Sequence, residues 1–314
     1  MFCSTIIATI GRDKLDRAVQ SVLDQNFPQD QFEIIIANDS GEPLPDYDWR
    51  SSDQVKIINT QKRERCFARN SAAALAKGRF LHILDDDDWV GPDFLADFYA
   101  SVSNNPKHVL FYGATQLVQR NGNPLIKLNH QMRGNCFTQV MAGEWIPLQS
   151  SLIRTDAFFK AGGLDPMVVG GEDIDLLRCL ALIGDFIELD LEGANIEVGA
   201  GQTTTDYKRS PTLLLRKREE MLDDAVAFKR LQNSATNVTW QGHILRIYLT
   251  SMVWNFQSYR YWTALGRAGS ALYAGVRAFP YFFRPAYWRA VQSPYESKTF
   301  LNGFRAANMS VSRR

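Results

Sequence analysis

Nowhere does this chain hold an uninterrupted apolar run of the roughly 18 residues that a membrane-spanning helix needs, which excludes a spanning membrane protein. Its four cysteines, Cys3, Cys66, Cys136 and Cys179, have neither the spacing of a zinc site nor that of a disulfide framework. No charged leader or cleavage site precedes the first apolar segment, so a reduced, cytoplasmic setting is expected. The common phosphate-binding fingerprints are missing too. There is no GxxxxGKS/T run, and Gly199-x-Gly201 lacks the third glycine of the dinucleotide motif. A Gly-x-Ser-x-Gly elbow is absent, and His82, His108, His130 and His243 stand apart, with His82 alternating into a strand as a structural residue. There is no internal repeat and no low-complexity linker. Acids are scarce in one region only: from Trp240 to Arg314 ten Lys and Arg face a single Glu296, a formal +9, whereas the preceding 239 residues carry −8. The two parts are expected to meet different partners, nucleic acid not among them.

What is present centres on RFLHILDDDDWVGPDFL, from Arg79 to Leu95. Phe80, Leu81, Ile83 and Leu84 read as a strand buried on both faces, and such strands deliver their C-terminal ends to the ligand crevice of α/β proteins. Asp85, Asp86, Asp87 and Asp88 follow directly. Four adjacent carboxylates repel one another, and a Mg²⁺ or Mn²⁺ ion with oxygen ligands is the simplest counter-charge that keeps them ionised; the bland alternative is a solvated acidic turn. A calcium loop counted from Asp85 is excluded, because its Gly and Glu positions hold Val90 and Ala96.

Around this run, strands and helices alternate. CSTIIATI from position 3 and FEIIIA from Phe32 are apolar strands, with a third from Val55 to Ile58. Leu15, Ala18, Val19, Val22 and Leu23 recur at helical spacing, and Cys66 to Lys77 reads as a helix closed by Gly78. This alternation up to residue 104 predicts a doubly wound, mostly parallel sheet. His108 to Gln119 and Pro124 to Leu128 flank Asn121-Gly122, a hairpin signal that adds an antiparallel extension. A helix is expected from about Glu172 to Ile183, with Glu172 and Asp173 in its first turn, where the helix dipole favours carboxylates. Pro211 opens a further helix, running through TLLLRKREEMLDDAVAFKRL.

Three blocks in order carry a resemblance: IIATIGRDKLDRAVQSVLDQNFPQDQFEIIIANDSGEP, CFARNSAAALAKGRFLHILDDDDWVGPDFL and GGLDPMVVGGEDIDLLRCL. Together they resemble the signature blocks of family 2 glycosyltransferases over roughly residues 4 to 205. The resemblance implies a Rossmann-like nucleotide-diphospho-sugar transferase fold of the A type, and an inverting, metal-assisted transferase. By position, it makes Thr9 and Arg12 nucleotide contacts, Asp39 the acid that meets the base, and Arg69 a contact near the base or diphosphate. Asp85-x-Asp87 matches the family's D-x-D, with Asp85 near ribose and metal, Asp87 the direct metal ligand and Asp86 beside the nucleotide. Asp173 matches the catalytic base, and Glu172 and Trp145 line the acceptor site. The sequence departs where many members carry Tyr-Arg-x-His, since NIEVGAGQTTT places Gly199 there and puts a third metal ligand in doubt.

The function expected is transfer of a sugar from a nucleotide sugar, UDP-sugar first, to a glycan or lipid-linked saccharide hydroxyl, with Mn²⁺ or Mg²⁺. Alternatives are a sugar nucleotidyltransferase, for which IIATIGRDK is a poor loop, and an inactive nucleotide-sugar-binding scaffold. The catalytic domain is expected over residues 1–206 and a helical, basic, aromatic-rich region over 207–314. That tail holds seventeen aromatics from Trp240 onward. Ile244, Ile247, Tyr248 and Ser251 trace one helical stripe, and Trp254, Tyr261, Trp262 and Trp288 suit a headgroup region, so peripheral contact with the inner membrane face is expected. Packing onto the catalytic core, or an oligomer, is the competing expectation.

Overall fold

The computed structural model describes residues 1–61, 64–168, 170–198, 211–234 and 237–297. Strand β1 (Cys3–Thr9) pairs in parallel with β2 (Phe32–Asn38) on one side and β4 (Phe80–Asp85) on the other, and β3 (Val55–Asn59) lies outside β2. Their buried aliphatics leave no polar side to face water, so both faces must be covered. Helices α1 (Leu15–Leu23) and α3 (Phe94–Ser101) cover one face, where Leu15, Val19, Phe94 and Phe98 meet Ile7, Ile36 and Leu84. Helix α2 (Arg65–Ala73) covers the other, with Ala68 and Ala72 against Ile6 and Ile35. The register pairs Thr9 with Asn38 and Ala8 with Asp85, so polar residues gather at one edge of the parallel sheet.

Beyond β4 the sheet becomes mixed. Short β5 (Trp89–Val90) follows the acidic run; then come β6 (His108–Val118), β7 (Pro124–Leu128), α4 (Phe137–Ala142), β8 (Ser151–Arg154) and α5 (Thr155–Lys160). Helix α6 (Glu172–Ile183) and the long β9 (Asp185–Glu197) complete the layer. The order is β3-β2-β1-β4-β8-β6-β9-β5, with β7 attached to β6; β8 runs antiparallel to both neighbours, and β6 and β9 are parallel. Pairing of Trp89 with Asn195 and Val90 with Ala194 pins the segment after the carboxylates to β9. The predicted hairpin and the helix from Glu172 to Ile183 are where the sequence put them.

Four expectations need correction. Helix α2 stops at Ala73, and Gly78 is no cap: a Cβ there would lie 2.4 Å from the Ser4 nitrogen, so glycine serves a close approach to β1. The single helix after Pro211 is two, α7 (Pro211–Leu222) and α8 (Ala225–Ser234), because the Asp224 carboxylate accepts the Val226 N–H at 2.7 Å and starts a new helix. Helix α4 was not foreseen, since its apolar residues show no period long enough to read. The stripe assigned to a membrane, Ile244, Ile247, Tyr248 and Ser251 on α9 (Val238–Gln257), is buried. It faces the protein because α9 lies in the same core as α4, α6 and α8. Helices α10 (Tyr261–Arg277) and α11 (Pro285–Gln292) pack on α9. The expected boundary at 206/207 lies outside the described residues.

One apolar cluster joins Leu176, Leu180 and Phe186 of the α/β layer to Leu231, Ile244 and Tyr248 of the helical part. Removing Leu231 by substitution with Ala is therefore expected to cost about 2–5 kcal/mol and to shift the unfolding of both parts together. Denaturant titration followed by tryptophan fluorescence and circular dichroism checks this; two transitions, only one of them displaced, would contradict the shared core.

Candidate active site

The acidic run closes a tight turn, in which the Asp88 N–H donates to the Asp85 carbonyl at 3.2 Å. Asp85 ends β4, and both of its carboxylate oxygens are engaged, one by Arg69 Nη2 and the other by Gln149 Nε2 at 2.7 Å. Asp86 turns inward: Thr9 Oγ1 donates to it at 2.6 Å and Arg12 Nη1 at 3.1 Å. Thr9 is itself oriented by the Gly11 N–H, in a left-handed turn with φ +82. Arg12 Nη1 also reaches Asp87 at 3.3 Å, and Arg17 Nη2 donates to the Asp87 carbonyl at 2.6 Å. Asp88 is buried and accepts the backbone N–H of Glu197 at 3.0 Å, a bond that the β5–β9 pairing makes possible.

In this arrangement Asp85, Asp87 and Asp88 present carboxylate oxygens that all lie within 4.8 Å of one another. Burial, reinforced by the charges of Asp85 and Asp86, pushes Asp87 up to about 6. Asp88 is raised well above the usual carboxylate range by burial and by Asp85 and Asp87. These carboxyls therefore ionise less readily than free ones, and a cation beside them would favour their charged forms. Three hard oxygen donors at this separation fit a divalent cation. The third carboxylate comes from the same run, at Asp88, which the sequence left without a role; Gly199, where a further ligand was in doubt, lies outside the described residues.

Arg69, buried on α2, links this cluster to a second acidic pair. Its Nη1 lies 3.8 Å from Glu172 and 4.0 Å from Asp173, both in the first turn of α6. Burial opposes its charge, but the carboxylates of Asp85, Asp173 and Glu172 outweigh that and hold it cationic. Glu172 is buried and committed: Arg65 Nε lies 2.5 Å from one oxygen, and the Gly171 N–H donates to the other at 3.0 Å. Asp173 is different. Its buried Oδ1 accepts no hydrogen bond among the described residues. Burial and the Glu172 charge raise it to about 7, against the opposing pull of Arg69.

Asp39 is buried at the end of β2, where Thr60 Oγ1 donates to it at 2.6 Å and the Glu64 N–H reaches its other oxygen. It thereby orders the path from β3 into α2. Beside it, Asn38, Gly41, Leu44, Arg50, Ile57 and Asn59 line a cleft of about 210 Å³. Trp145 is partly buried against the core, and no hydrogen bond or ion pair ties it to Glu172 or Asp173 among the described residues. Thr9, Arg12, Arg69, Asp85, Asp86, Asp87, Glu172 and Asp173 are therefore one connected group, with Asp39 and Trp145 at its margins. Gln149 was missed, since the 64 residues that separate it from Asp85 carry no signal of the β4–β8 pairing.

Strand-end carboxylates on a mixed, mostly parallel sheet, followed by helices, define an A-type nucleotide-sugar transferase fold. Residues 4–149, just under half of the chain, match the family described as Glycosyl transferase family 2. An uncharacterized glycosyltransferase of Methanocaldococcus jannaschii is 23% identical over 186 residues, which are 57% of this chain and 64% of that protein. EpsH of Bacillus subtilis is 34% identical over 74 residues, 22% of each chain. The chain thus spans less than two thirds of the length of either relative. Among solved structures, residues 1–349 of S. aureus TarS in complex with UDP-GlcNAc superpose with a TM-score of 0.60 at 15% identity, over 100% of this chain and 93% of that one. The same TarS segment with UDP gives 0.57 at 16% identity, over 100% and 92%. These likenesses extend to the C-terminal helices.

The raised Asp173 has a consequence for stability. In the unfolded chain its carboxyl ionises near 3.8, whereas in the folded protein it keeps its proton up to about 7, so the folded state binds the extra proton in between. Stability supplied by that protonation is present below this window and lost as pH rises through it. The metal-free protein is therefore expected to melt at a lower temperature at pH 8 than at pH 5, with a smaller decline in Asp173→Asn. Scanning calorimetry across that range decides it; a melting temperature that rises with pH, or an unchanged slope in the variant, would contradict the assignment.

Proposed function

We propose that this protein transfers a sugar from a nucleotide sugar, a UDP-sugar, to a hydroxyl of a glycan or lipid-linked saccharide, by one displacement that inverts the anomeric carbon. The observation that carries the reading is the single connected network: a carboxylate trio suited to a cation, and Asp173, whose Oδ1 accepts no hydrogen bond among the described residues, joined through the Arg69 charge. Support for UDP comes from the fold shared with TarS, whose complex holds UDP-GlcNAc. Asp85, Asp87 and Asp88 would hold Mn²⁺ or Mg²⁺, which supplies charge neutralisation for a departing nucleoside diphosphate.

The chain's own residues perform the rest. The acceptor oxygen attacks the anomeric carbon as the bond from that carbon to the diphosphate oxygen breaks, and the electron pair leaves with the nucleotide. The hydroxyl proton passes to the Asp173 carboxylate, whose poise near 7 suits a base at neutral pH. Glu172, fixed by Arg65 and the Gly171 N–H, keeps the helix start in place. Arg12 is half exposed and leaves Asp87 to meet the diphosphate, while Thr9 holds Asp86 and so the loop. The cleft beside Asp39 receives the base, and Trp145 borders the acceptor.

Two substitutions test separate parts. Asp87→Ala is expected to keep the fold and lose Mn²⁺-dependent UDP binding, measured by titration calorimetry; unchanged affinity and metal response would remove Asp87 from the ligand set. Asp173→Asn is expected to lower turnover by about 10²- to 10⁴-fold while UDP still binds. If this variant turns over at the wild-type rate, the base lies elsewhere.

A further inference from the structure

The largest unexplained feature of the described residues is the outer face of the last helices. On α10, Trp262, Leu265, Leu272 and Val276 recur at i, i+3, i+10 and i+14 with Gly269 between them, and all are exposed; Trp262 shows 87% of its surface and Leu272 71%. The opposite face, Ala264, Arg267, Ala271 and Ala274, is buried against the protein. The helix is therefore apolar on both sides, and only one side has a partner. The stripe covers about 21 Å along the axis and continues into Phe279 and Phe283, the latter 88% exposed. Scattered apolar residues on a surface need no explanation, whereas a contiguous patch of this size marks an interaction surface.

The surrounding charge selects the partner. Arg277, Arg284 and Arg289 are exposed and form no ion pair among the described residues, while the nearby acid, Asp223, is engaged by Arg260 and Arg267. Two copies of this surface packed on each other would bring like charges together with no acid between them. Trp288, 41% exposed, adds an indole whose N–H is bonded to the Phe282 carbonyl at 2.7 Å and whose ring packs on Phe282 and Tyr287. Exposed aromatic rings, aliphatic side chains and guanidiniums with no acid among them from Tyr261 to Arg289 match the interface of an anionic lipid bilayer, where apolar groups enter the acyl boundary and cations meet headgroups.

We propose that the α10–α11 face, from Trp262 to Trp288, is a docking surface for an anionic membrane, with the helices lying on the bilayer. It is a different surface from the α9 stripe that sequence periodicity suggested, and it does not rest on the sugar chemistry proposed above. No described helix is long and apolar enough to cross a membrane, so docking is peripheral.

Liposome flotation of the full chain tests it. The protein is expected to float with vesicles that contain phosphatidylglycerol, to float less with pure phosphatidylcholine, and to be released by salt. Arg284→Glu with Arg289→Glu should weaken partition by at least about thirtyfold, taking about 1 kcal/mol for each charge removed. Trp262→Glu with Leu272→Glu should abolish flotation. These side chains are exposed, so an unchanged melting temperature and unchanged UDP binding separate loss of docking from loss of fold or of the sugar-transfer reading. Failure of the wild-type chain to float at low salt, or equal flotation of the Trp262/Leu272 variant, would overturn the proposal. So would a concentration-dependent dimer in sedimentation that this variant abolishes without any vesicle present.

Discussion

A single buried guanidinium organises the site. Arg69 touches Asp85 at the end of β4 and, from its other side, approaches Glu172 and Asp173 at the start of α6. The two acidic groups lie on elements almost ninety residues apart in sequence, and no strand pairing joins them directly. A buried cation among three carboxylates has a large desolvation cost, which is offset only when the geometry satisfies all partners together. The position of α6 against the parallel sheet is therefore coupled to the position of the carboxylates at the end of β4. Whatever binds Asp85 alters the field at Asp173, and so the site has a built-in electrostatic link between its two acidic groups.

The second constraint is the charge of the acidic turn itself. Arg12 and Arg17 lie over it from the loop and first helix that follow β1, and Arg17 also stacks on the Trp89 ring at 3.9 Å. Arg12 meets the carboxylates of Asp86 and Asp87 and Arg17 the Asp87 carbonyl, while one oxygen each of Asp85, Asp87 and Asp88 lies within 4.8 Å of the others. Arg12 is half exposed and reaches two carboxylates with a single nitrogen. Buried Asp86 and Asp88 anchor the turn to β1 and β9, so that Asp85 and Asp87 face outward together.

Much of this was legible in the sequence, for identifiable reasons. Strands β1, β2 and β4 are short, largely apolar runs ending in polar residues, and their alternation with helical periods is the pattern of a buried parallel sheet. The first turn of α6 was readable because the apolar period begins at Ile174, which places Glu172 and Asp173 before it. What stayed hidden depends on tertiary pairing. Gln149 reaches Asp85 because β8 inserts antiparallel beside β4, and Asp88 turns into the cluster because β5 returns to β9. The C-terminal helices show the same limit in reverse. Both α9 and α10 carry apolar stripes, and periodicity cannot say that Ile244 and Tyr248 face the core while Trp262 and Leu272 face outward.

A cation joining the carboxylate trio to a nucleotide is the centre of the proposed reaction. Electron paramagnetic resonance of Mn²⁺ titrated into the wild-type protein, with and without UDP, measures that join directly. One ion per chain should leave the free-ion signal, and UDP should tighten its binding, while Mn²⁺ tightens UDP in return. UDP binding of equal strength in the presence of a chelator, with the Mn²⁺ signal remaining that of the free ion, would contradict it.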